Sequence, residues 1–179
     1  MKKTIFALLM AVAGIFALQS CEDSLLDFSQ TLTYTYEVPV ASADSVFSIT
    51  ELIDLASQDS IINEYGSKIK EINIIEVKYW LTAFEGDADQ SIIQATLKIA
   101  DQNNAGEQII TTINNQNLQA LLNTPTVLDV NQDAINSMQD LIKNSPHKFT
   151  LSFANSCNKA PLNFKVKFEF KYELVANPL

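Results

Sequence analysis

Alternation of apolar and polar side chains is the dominant pattern of this chain, and it predicts mostly strands. In residues 31–38, leucine, tyrosine and valine occupy the even positions and threonine and glutamate the odd ones, and Pro39 is expected to end the run. Residues 164–174 alternate even more strictly, with aromatic or aliphatic side chains against lysine and glutamate. Such a strand covers a core with one face and meets solvent with the other.

The longest predicted strand spans residues 68–84 and changes parity in its middle. Ile72 and Ile74 lie on even positions, whereas Ile75 and Val77 lie on odd ones. Because a slip of one residue moves every following side chain to the opposite face, a β-bulge is expected near Ile74 and Ile75. Further strands are predicted at residues 93–99, 109–113, 127–130 and 149–153, with a turn at 101–107.

Helix signals are short and lie between the strands. Ser48 and Glu51 resemble a capping box, which predicts a helix that continues through Leu52 and Ala56. A second helix is expected to stop at Gly66, and a third to cover residues 118–122. Asn131 is placed to cap a fourth, whose apolar positions recur at helical spacing until Pro146.

About seven strands without a strand–helix–strand rhythm predict a mainly β fold. We expect an antiparallel two-sheet β-sandwich of the immunoglobulin-like kind, with two or three short helices in the connections. The chain has only four glycines, so its turns must rely on asparagine and aspartate, which tolerate left-handed backbone conformations.

The N-terminus carries a targeting pattern. Lys2 and Lys3 precede an apolar stretch at residues 5–18, and Ser20 supplies the small residue that a signal peptidase requires. With Cys21 next in the chain, the pattern resembles the lipobox of bacterial lipoproteins. The resemblance implies a thiol that is diacylated and becomes the mature N-terminus, with acyl chains such as palmitate as the membrane attachment. The expected division is a signal peptide at 1–20, a lipidated tether at 21–30 and a sandwich domain at 31–179.

The residues after Cys21 resemble small surface lipoproteins of the Bacteroidetes type. Glu22 and Asp23 resemble the export signal of that group, which implies an outer-membrane lipoprotein exposed at the surface; a periplasm-facing anchor stays open. Three Asp-Ser-apolar triplets resemble its O-glycosylation pattern. They place candidate acceptors at Ser24, Ser45 and Ser60. Asp-Ser pairs equally suit turns and helix caps.

The net charge and the type of basic residue narrow the classes of molecule that this chain is expected to bind. The full chain has a formal net charge of −9, and removal of residues 1–20 takes away two lysines and leaves ten against 21 acidic residues, a net of −11. All the basic residues are lysines. An acidic chain without guanidinium groups is a poor match for nucleic acid, because binding to phosphates needs clustered positive charge.

The sequence contains no recognisable catalytic constellation. His147 is the only histidine, and a lone histidine beside a turn is expected at the surface. There is no glycine-rich phosphate loop, nucleophile elbow or histidine pair at metal-binding spacing, so no cofactor is expected. If Cys21 is acylated, Cys157 has no disulfide partner and is expected to be a shielded thiol.

Two groups of acids are calcium candidates. Asp129 and Asp133 follow the first positions of an EF-hand loop with Asn131 between them, but Ala134 replaces the turn glycine, and helix capping explains Asn131 more simply. Asp87 and Asp89 flank a polar turn after Gly86. Neither group is sufficient to predict a metal site.

Trp80 is the strongest candidate for a ligand contact. If Val77 and Leu81 point inward, Trp80 points outward, where an indole can stack on a sugar or anchor a partner protein. The sequence therefore favours a lipid-anchored, non-catalytic binding or structural module with a glycan or envelope-protein partner. The alternatives are a glycan-acting enzyme that uses two carboxylates and a carrier that holds a small ligand inside the sandwich.

Overall fold

The computed structural model describes residues 27–177. Its strands are β1 (Phe28–Ser42), β2 (Val46–Asp54), β3 (Ile69–Phe84), β4 (Ser91–Asp101), β5 (Gln108–Asn117), β6 (Thr126–Val127), β7 (Lys148–Cys157) and β8 (Leu162–Ala176). The helices are α1 (Leu55–Gln58), α2 (Ser60–Tyr65), α3 (Leu118–Leu121) and α4 (Gln132–Lys143), with a 3₁₀ turn at Gly66–Lys68. None of the helices in this part of the chain is long and apolar enough to cross a membrane.

The strands form two four-stranded antiparallel sheets. Sheet A has the order β1-β8-β3-β6 and sheet B the order β2-β7-β4-β5. The predicted two-sheet antiparallel sandwich is therefore confirmed. Its strand order is that of a jelly roll, and every connection except that from β4 to β5 crosses between the sheets. In an immunoglobulin domain the first two strands share a sheet, whereas β1 and β2 here lie in different sheets.

Aromatic rings fill the space between the sheets. Phe168 in β8 is fully buried, and its ring centroid lies 5.5 Å from that of Phe153 in sheet B. Tyr36 and Tyr79 stack on the same ring at 6.3 and 6.5 Å from the flanking strands of sheet A. The alternation predicted for residues 164–174 is confirmed, since every even residue of that range is buried. These rings therefore form a continuous aromatic layer between the two sheets.

The parity change in β3 is a bulge, as predicted. Pairing with β8 is interrupted between Ile74 and Glu76, which leaves Ile75 52% exposed. Beyond the bulge, Val77 and Leu81 are buried. A similar interruption of pairing lies between Ile92 and Gln94, where Ile92 is buried and Ile93 is exposed.

β1 is longer at both ends than predicted. Its pairing with β8 continues through Pro39, which lies opposite Lys165. Proline is tolerated there because β1 is an edge strand and one side of its backbone needs no ladder hydrogen bond. At the other end the strand begins at Phe28, whose ring meets that of Tyr65 edge-on at 5.0 Å. The predicted tether at residues 21–30 is thus too long, since the sandwich starts at Phe28.

The helix predicted from Ser48 and Glu51 is wrong over most of its length. Residues Val46–Asp54 pair with β7 at every position, because the period-2 pattern of this segment fits an edge of sheet B. A helix does begin at Leu55, and Asp54 caps it by accepting a hydrogen bond from the Ser57 N–H at 3.2 Å. Long-range strand pairing overrode the local capping pattern.

Several other local predictions are confirmed, but the strand predicted at residues 127–130 is wrong beyond Val127, because β6 covers only Thr126–Val127 and its pairing with β3 ends there. Asn131 caps α4 by accepting bonds from the backbone N–H groups of Asp133 and Ala134. α2 ends at Tyr65, immediately before Gly66. Asparagine adopts the left-handed conformation in turns, as predicted, since Asn104 and Asn123 have positive φ angles. Asn115 also has a positive φ, but within β5.

Candidate binding surface around Trp80

Trp80 lies on the outer face of sheet A, the side turned away from sheet B. Its neighbours Tyr79 and Leu81 point into the core, and Trp80 itself is partly exposed, so the outward direction predicted from parity is confirmed. It pairs with Lys167 of β8 across the sheet. A flat aromatic ring is therefore presented on a sheet face whose central strand is lined with lysine and glutamate.

A lysine covers the indole. The Nζ atom of Lys167 lies 5.3 Å from the centroid of the Trp80 ring, within the range of a cation–π contact. Since the two residues are direct cross-strand partners, the register of β3 and β8 produces this contact. The contact orients the indole and places an ammonium donor directly above its face.

A carboxylate is held beside the same ring. Glu37 in β1 lies opposite Lys167, so it belongs to the same row across the sheet as Trp80. Its Oε2 accepts a hydrogen bond from Thr82 Oγ1 at 3.1 Å, and its Oε1 lies 3.9 Å from Lys165 Nζ. The outer face thus combines an aromatic ring, two ammonium groups, a carboxylate and a hydroxyl.

A groove adjoins this surface where β6 pairs with β3, and both polar and aliphatic groups line it. The groove has a volume of about 240 Å³, and its lining includes Ile75 and Val127, which are 52% and 58% exposed. Val127 lies opposite Lys78, two residues before Trp80. Lys78 forms a 2.6 Å salt bridge with Glu76, and this hydrogen bond raises the pKa of the Lys78 ammonium. The surface therefore continues from the row around Trp80 to a groove that exposes two aliphatic side chains.

Sequence reasoning found Trp80 but not its neighbours. Glu37 and Lys167 lie 43 residues before and 87 residues after the tryptophan, on β1 and β8. Only the register of sheet A brings them into one row. The sequence feature that points to Lys167 is the regular lysine–glutamate alternation of residues 165–173, but this alternation by itself indicates only a strand face exposed to solvent.

The calcium candidates have other roles. Lys159 Nζ lies 3.2 Å from Asp87 and 2.5 Å from Asp89, and this hydrogen bonding lowers the pKa of Asp89. The ammonium group thus supplies the positive charge at that turn.

The second group of calcium candidates lies at the start of α4. Asp133 lies in the first turn of α4, where a carboxylate interacts favourably with the helix dipole, and the Asp129 carbonyl accepts a hydrogen bond from Thr111. Within residues 27–177, no cluster of three or more histidine, cysteine or acidic side chains is arranged to hold a metal ion.

His147 is buried rather than at the surface, so that expectation is wrong. Its exposed fraction is 8%, and its Nδ1–H donates to the Ile142 carbonyl at 2.7 Å. Nε2 lies against Gly66, where an added Cβ would come within 2.5 Å of it. The positive φ of 60° at His147 turns the ring inward from the turn. Its contacts join the end of α4 to the 3₁₀ turn, which is a packing role.

Cys157 is buried, in accordance with its predicted shielding. The Asn155 Nδ2 group donates a hydrogen bond to its Sγ at 3.3 Å. Burial raises the pKa of the thiol, which suppresses the thiolate that nucleophilic chemistry would need.

The lipidation and glycosylation candidates are only partly covered by the structure. Cys21 and Ser24 lie outside the described residues. Ser45 is partly exposed in the bend between β1 and β2, and its carbonyl accepts a bond from the Cys157 N–H. Ser60 is exposed as the first residue of α2, directly after Asp59, which caps that helix. The capping interpretation of the third triplet is confirmed.

Comparison with known proteins adds little about function. No protein-family model matches the chain, and none of the curated proteins matches it in sequence. Among solved structures, that of Desmodium yellow mottle tymovirus is 12% identical over 85% of this chain and 90% of its own, with a TM-score of 0.37. Turnip yellow mosaic virus (12% identity, 85% and 94% coverage, TM-score 0.41) and the decameric BFDV capsid protein (6%, 83% and 99%, 0.40) are similar to the same extent. Likeness of this size carries no information on what the chain binds.

Proposed function

We propose that this protein is a lipid-anchored, non-catalytic binding module of the bacterial cell envelope, which binds a glycan on the outer face of sheet A around Trp80. The observation that carries the binding role is the row of Trp80, Lys167 and Glu37. Protein sites for sugars combine a flat aromatic surface with polar groups that exchange hydrogen bonds with ring hydroxyls. This row contains an aromatic ring, a donor and an acceptor.

The proposed anchor and the proposed site lie on different parts of the domain. Six residues, 22–27, separate Cys21 from the start of β1, and a fully extended segment of that length reaches roughly 20 Å. Phe28 and Ile69 both pair with Ala176, so β1 and β3 are level at this end of sheet A. Trp80 pairs with Lys167, nine residues from Ala176 along β8, which is about 30 Å at the usual rise of a strand. An anchor at Cys21 thus leaves the Trp80 surface free.

Anchoring is tested separately from binding. Cys21→Ser in the full-length chain is expected to abolish incorporation of a labelled fatty acid and to release the protein into soluble fractions. The matched control is Cys157→Ser, which removes the buried cysteine and should leave labelling intact. Labelling that survives Cys21→Ser would refute the lipoprotein proposal. Protease treatment of intact cells then distinguishes a surface-exposed domain from a periplasmic one.

Binding is tested with a soluble domain of residues 22–179 on a glycan array. Trp80→Ala is expected to lose the glycans that the unsubstituted domain retains, because stacking of a ring on an aromatic side chain is a large part of such binding. Glu37→Gln should weaken binding less, by removing one fixed acceptor. Ile93→Ala is the control, since Ile93 is exposed on sheet B. Equal retention by the Trp80 and Ile93 variants would refute the proposed site.

A protein partner is the second candidate, favoured by the exposed aliphatic side chains of the groove where β6 pairs with β3. Exposed Ile75 and Val127 are more suited to side chains of a protein than to sugar hydroxyls. Crosslinking of the unsubstituted protein and of Val127→Ser in intact envelopes distinguishes a protein partner from a glycan. Loss of a crosslinked protein in Val127→Ser, with glycan binding retained, would favour the protein partner.

A further inference from the structure

Within residues 27–177, one side of β1 is a long edge without a pairing strand. β1 has fifteen residues, and β8 is its only neighbour in sheet A. The opposite edge of sheet A is paired, because the Val77 and Leu81 carbonyls of β3 accept hydrogen bonds from the N–H groups of Leu128 and Asn123. Among the described residues, no backbone hydrogen bond reaches the free side of β1. Its outward N–H and C=O groups are therefore available for pairing.

β1 also lacks the features that usually protect an edge strand. Natural edges carry lysines, prolines or bulges that prevent pairing with another chain. Residues 28–36 contain no charged side chain and no proline, and their register with β8 is uninterrupted. Glu37 and Pro39 come only at the far end of the strand. In a chain with a net charge of −9, this segment brings no side-chain charge of its own to a contact between two copies.

We propose that two copies of this chain pair antiparallel through β1, with a two-fold axis at Thr33, and so join their A sheets into one eight-stranded sheet. In this register outward side chains meet outward ones and Pro39 lies just beyond the paired segment. The pairs are Thr33 with Thr33, Leu32 with Tyr34, Thr31 with Thr35, Gln30 with Tyr36, Ser29 with Glu37 and Phe28 with Val38. Threonine pairs and aromatic–aliphatic pairs are both favourable across antiparallel strands.

The core-facing side of the proposed contact between two β1 strands is also suited to a second copy. Leu32 and Tyr34 point towards the core but are only partly buried, so each gains cover from the other copy. Burial, reinforced by the nearby Glu51 carboxylate, raises the pKa of Tyr34 to about 12, so its hydroxyl stays neutral.

The dimer has a consequence for the outer face of sheet A. A two-fold axis between antiparallel edge strands runs normal to the sheet, so both copies of Trp80 face the same way. A glycan with repeating units would then meet two sites on one surface and bind with added avidity. This consequence rests on the proposed function, but the dimer itself does not.

The dimer is tested by light scattering on the soluble domain of residues 22–179 over a concentration series. The unsubstituted domain should approach twice the monomer mass, and Thr33→Lys and Thr33→Glu should each remain monomeric, because like charges meet at the axis. Mixing the two variants should restore the doubled mass, a result that misfolding could not produce. Thr112→Lys is the control, since Thr112 is exposed on a strand of sheet B.

A disulfide trap tests the register independently of charge. With Cys157→Ala as background, Thr33→Cys should form a covalent dimer under mild oxidation, whereas Thr112→Cys should not. A domain that is monomeric at every concentration would overturn the proposal. So would a dimer that persists in both charged Thr33 variants, which would place the interface elsewhere.

Discussion

The hydroxyl of Tyr172 donates a 3.0 Å hydrogen bond to Asp59 Oδ2, and the other oxygen of that carboxylate caps α2. Tyr172 lies in the centre of sheet A and is almost completely buried, whereas Asp59 lies 113 residues earlier in the chain. The desolvation of the phenol, together with the Asp59 carboxylate, raises the pKa of Tyr172, which keeps it protonated as the donor. One carboxylate thus ties a surface helix to the core.

Asp59→Ala should destabilise the fold by about 2–4 kcal/mol. The substitution removes the cap that accepts from the Ile61 and Ile62 N–H groups and leaves the Tyr172 hydroxyl without its partner. Tyr172→Phe removes only the second contribution, at about 1 kcal/mol, so its combination with Asp59→Ala should be non-additive. Urea unfolding of the four proteins measures the cycle. Additive losses would show that the bond does not couple the two residues.

Lys167→Gln should uncover the indole of Trp80. Trp80 is the only tryptophan in the chain, so intrinsic fluorescence reports this residue alone. We expect acrylamide to quench the variant more efficiently than the unsubstituted domain, with a stability loss of about 0.5–1 kcal/mol from the cation–π contact. Lys98→Gln, on sheet B, is the control and should leave quenching unchanged. No difference between the two variants would indicate that Lys167 does not cover the ring in solution.

Stability should fall on acidification, in part through Asp54. The hydrogen bond to Lys148 lowers the pKa of the Asp54 carboxyl below its ordinary value of 3.8. A group with a lowered folded pKa stabilises the fold above the unfolded pKa and loses that contribution as pH falls through the folded value. The melting-temperature difference between the unsubstituted domain and Lys148→Met should therefore be constant at neutral pH and shrink below about pH 4. A difference that persists at the lowest pH would contradict this assignment.

Cys157 should react with thiol reagents only after unfolding. In the domain of residues 22–179 it is the only thiol, and it is buried with a raised pKa. Labelling by a disulfide reagent at neutral pH should be slow in the native protein and complete within the mixing time in guanidinium chloride. Asn155→Ala, which removes the donor to Sγ, should leave the native rate slow because burial remains the main cause. Rapid native labelling would show that this part of β7 opens readily.

Much of the local structure could be predicted because its causes are local. Asn131 caps α4 through its own side chain, and the bulge after Ile74 follows from a parity change in consecutive residues. The outward direction of Trp80 follows from that same parity. Asn104 and Asn123 adopt positive φ because their short polar side chains tolerate it. Each of these outcomes depends on a few neighbouring residues.

The predictions that were wrong concern residues whose structure depends on partners far away in the chain. Ser48 and Glu51 fit a helix cap locally, but nine cross-strand pairs with β7 stabilise a strand there. Pro39 ends many strands, yet on β1 its missing N–H faces no ladder partner. His147 is a turn residue that is buried because Gly66, 81 residues earlier, leaves room for its ring.

By itself, the sequence determined the β-rich character, most element positions and the face on which Trp80 lies, because side-chain period, caps and turn residues act over short distances. Only the tertiary structure decided the jelly-roll order, the row of Glu37, Lys167 and Trp80, and the free edge of β1. These features depend on which strands become neighbours and in which register. That choice is made by the joint burial of residues far apart in the chain, such as Tyr36, Tyr79 and Phe153 around Phe168.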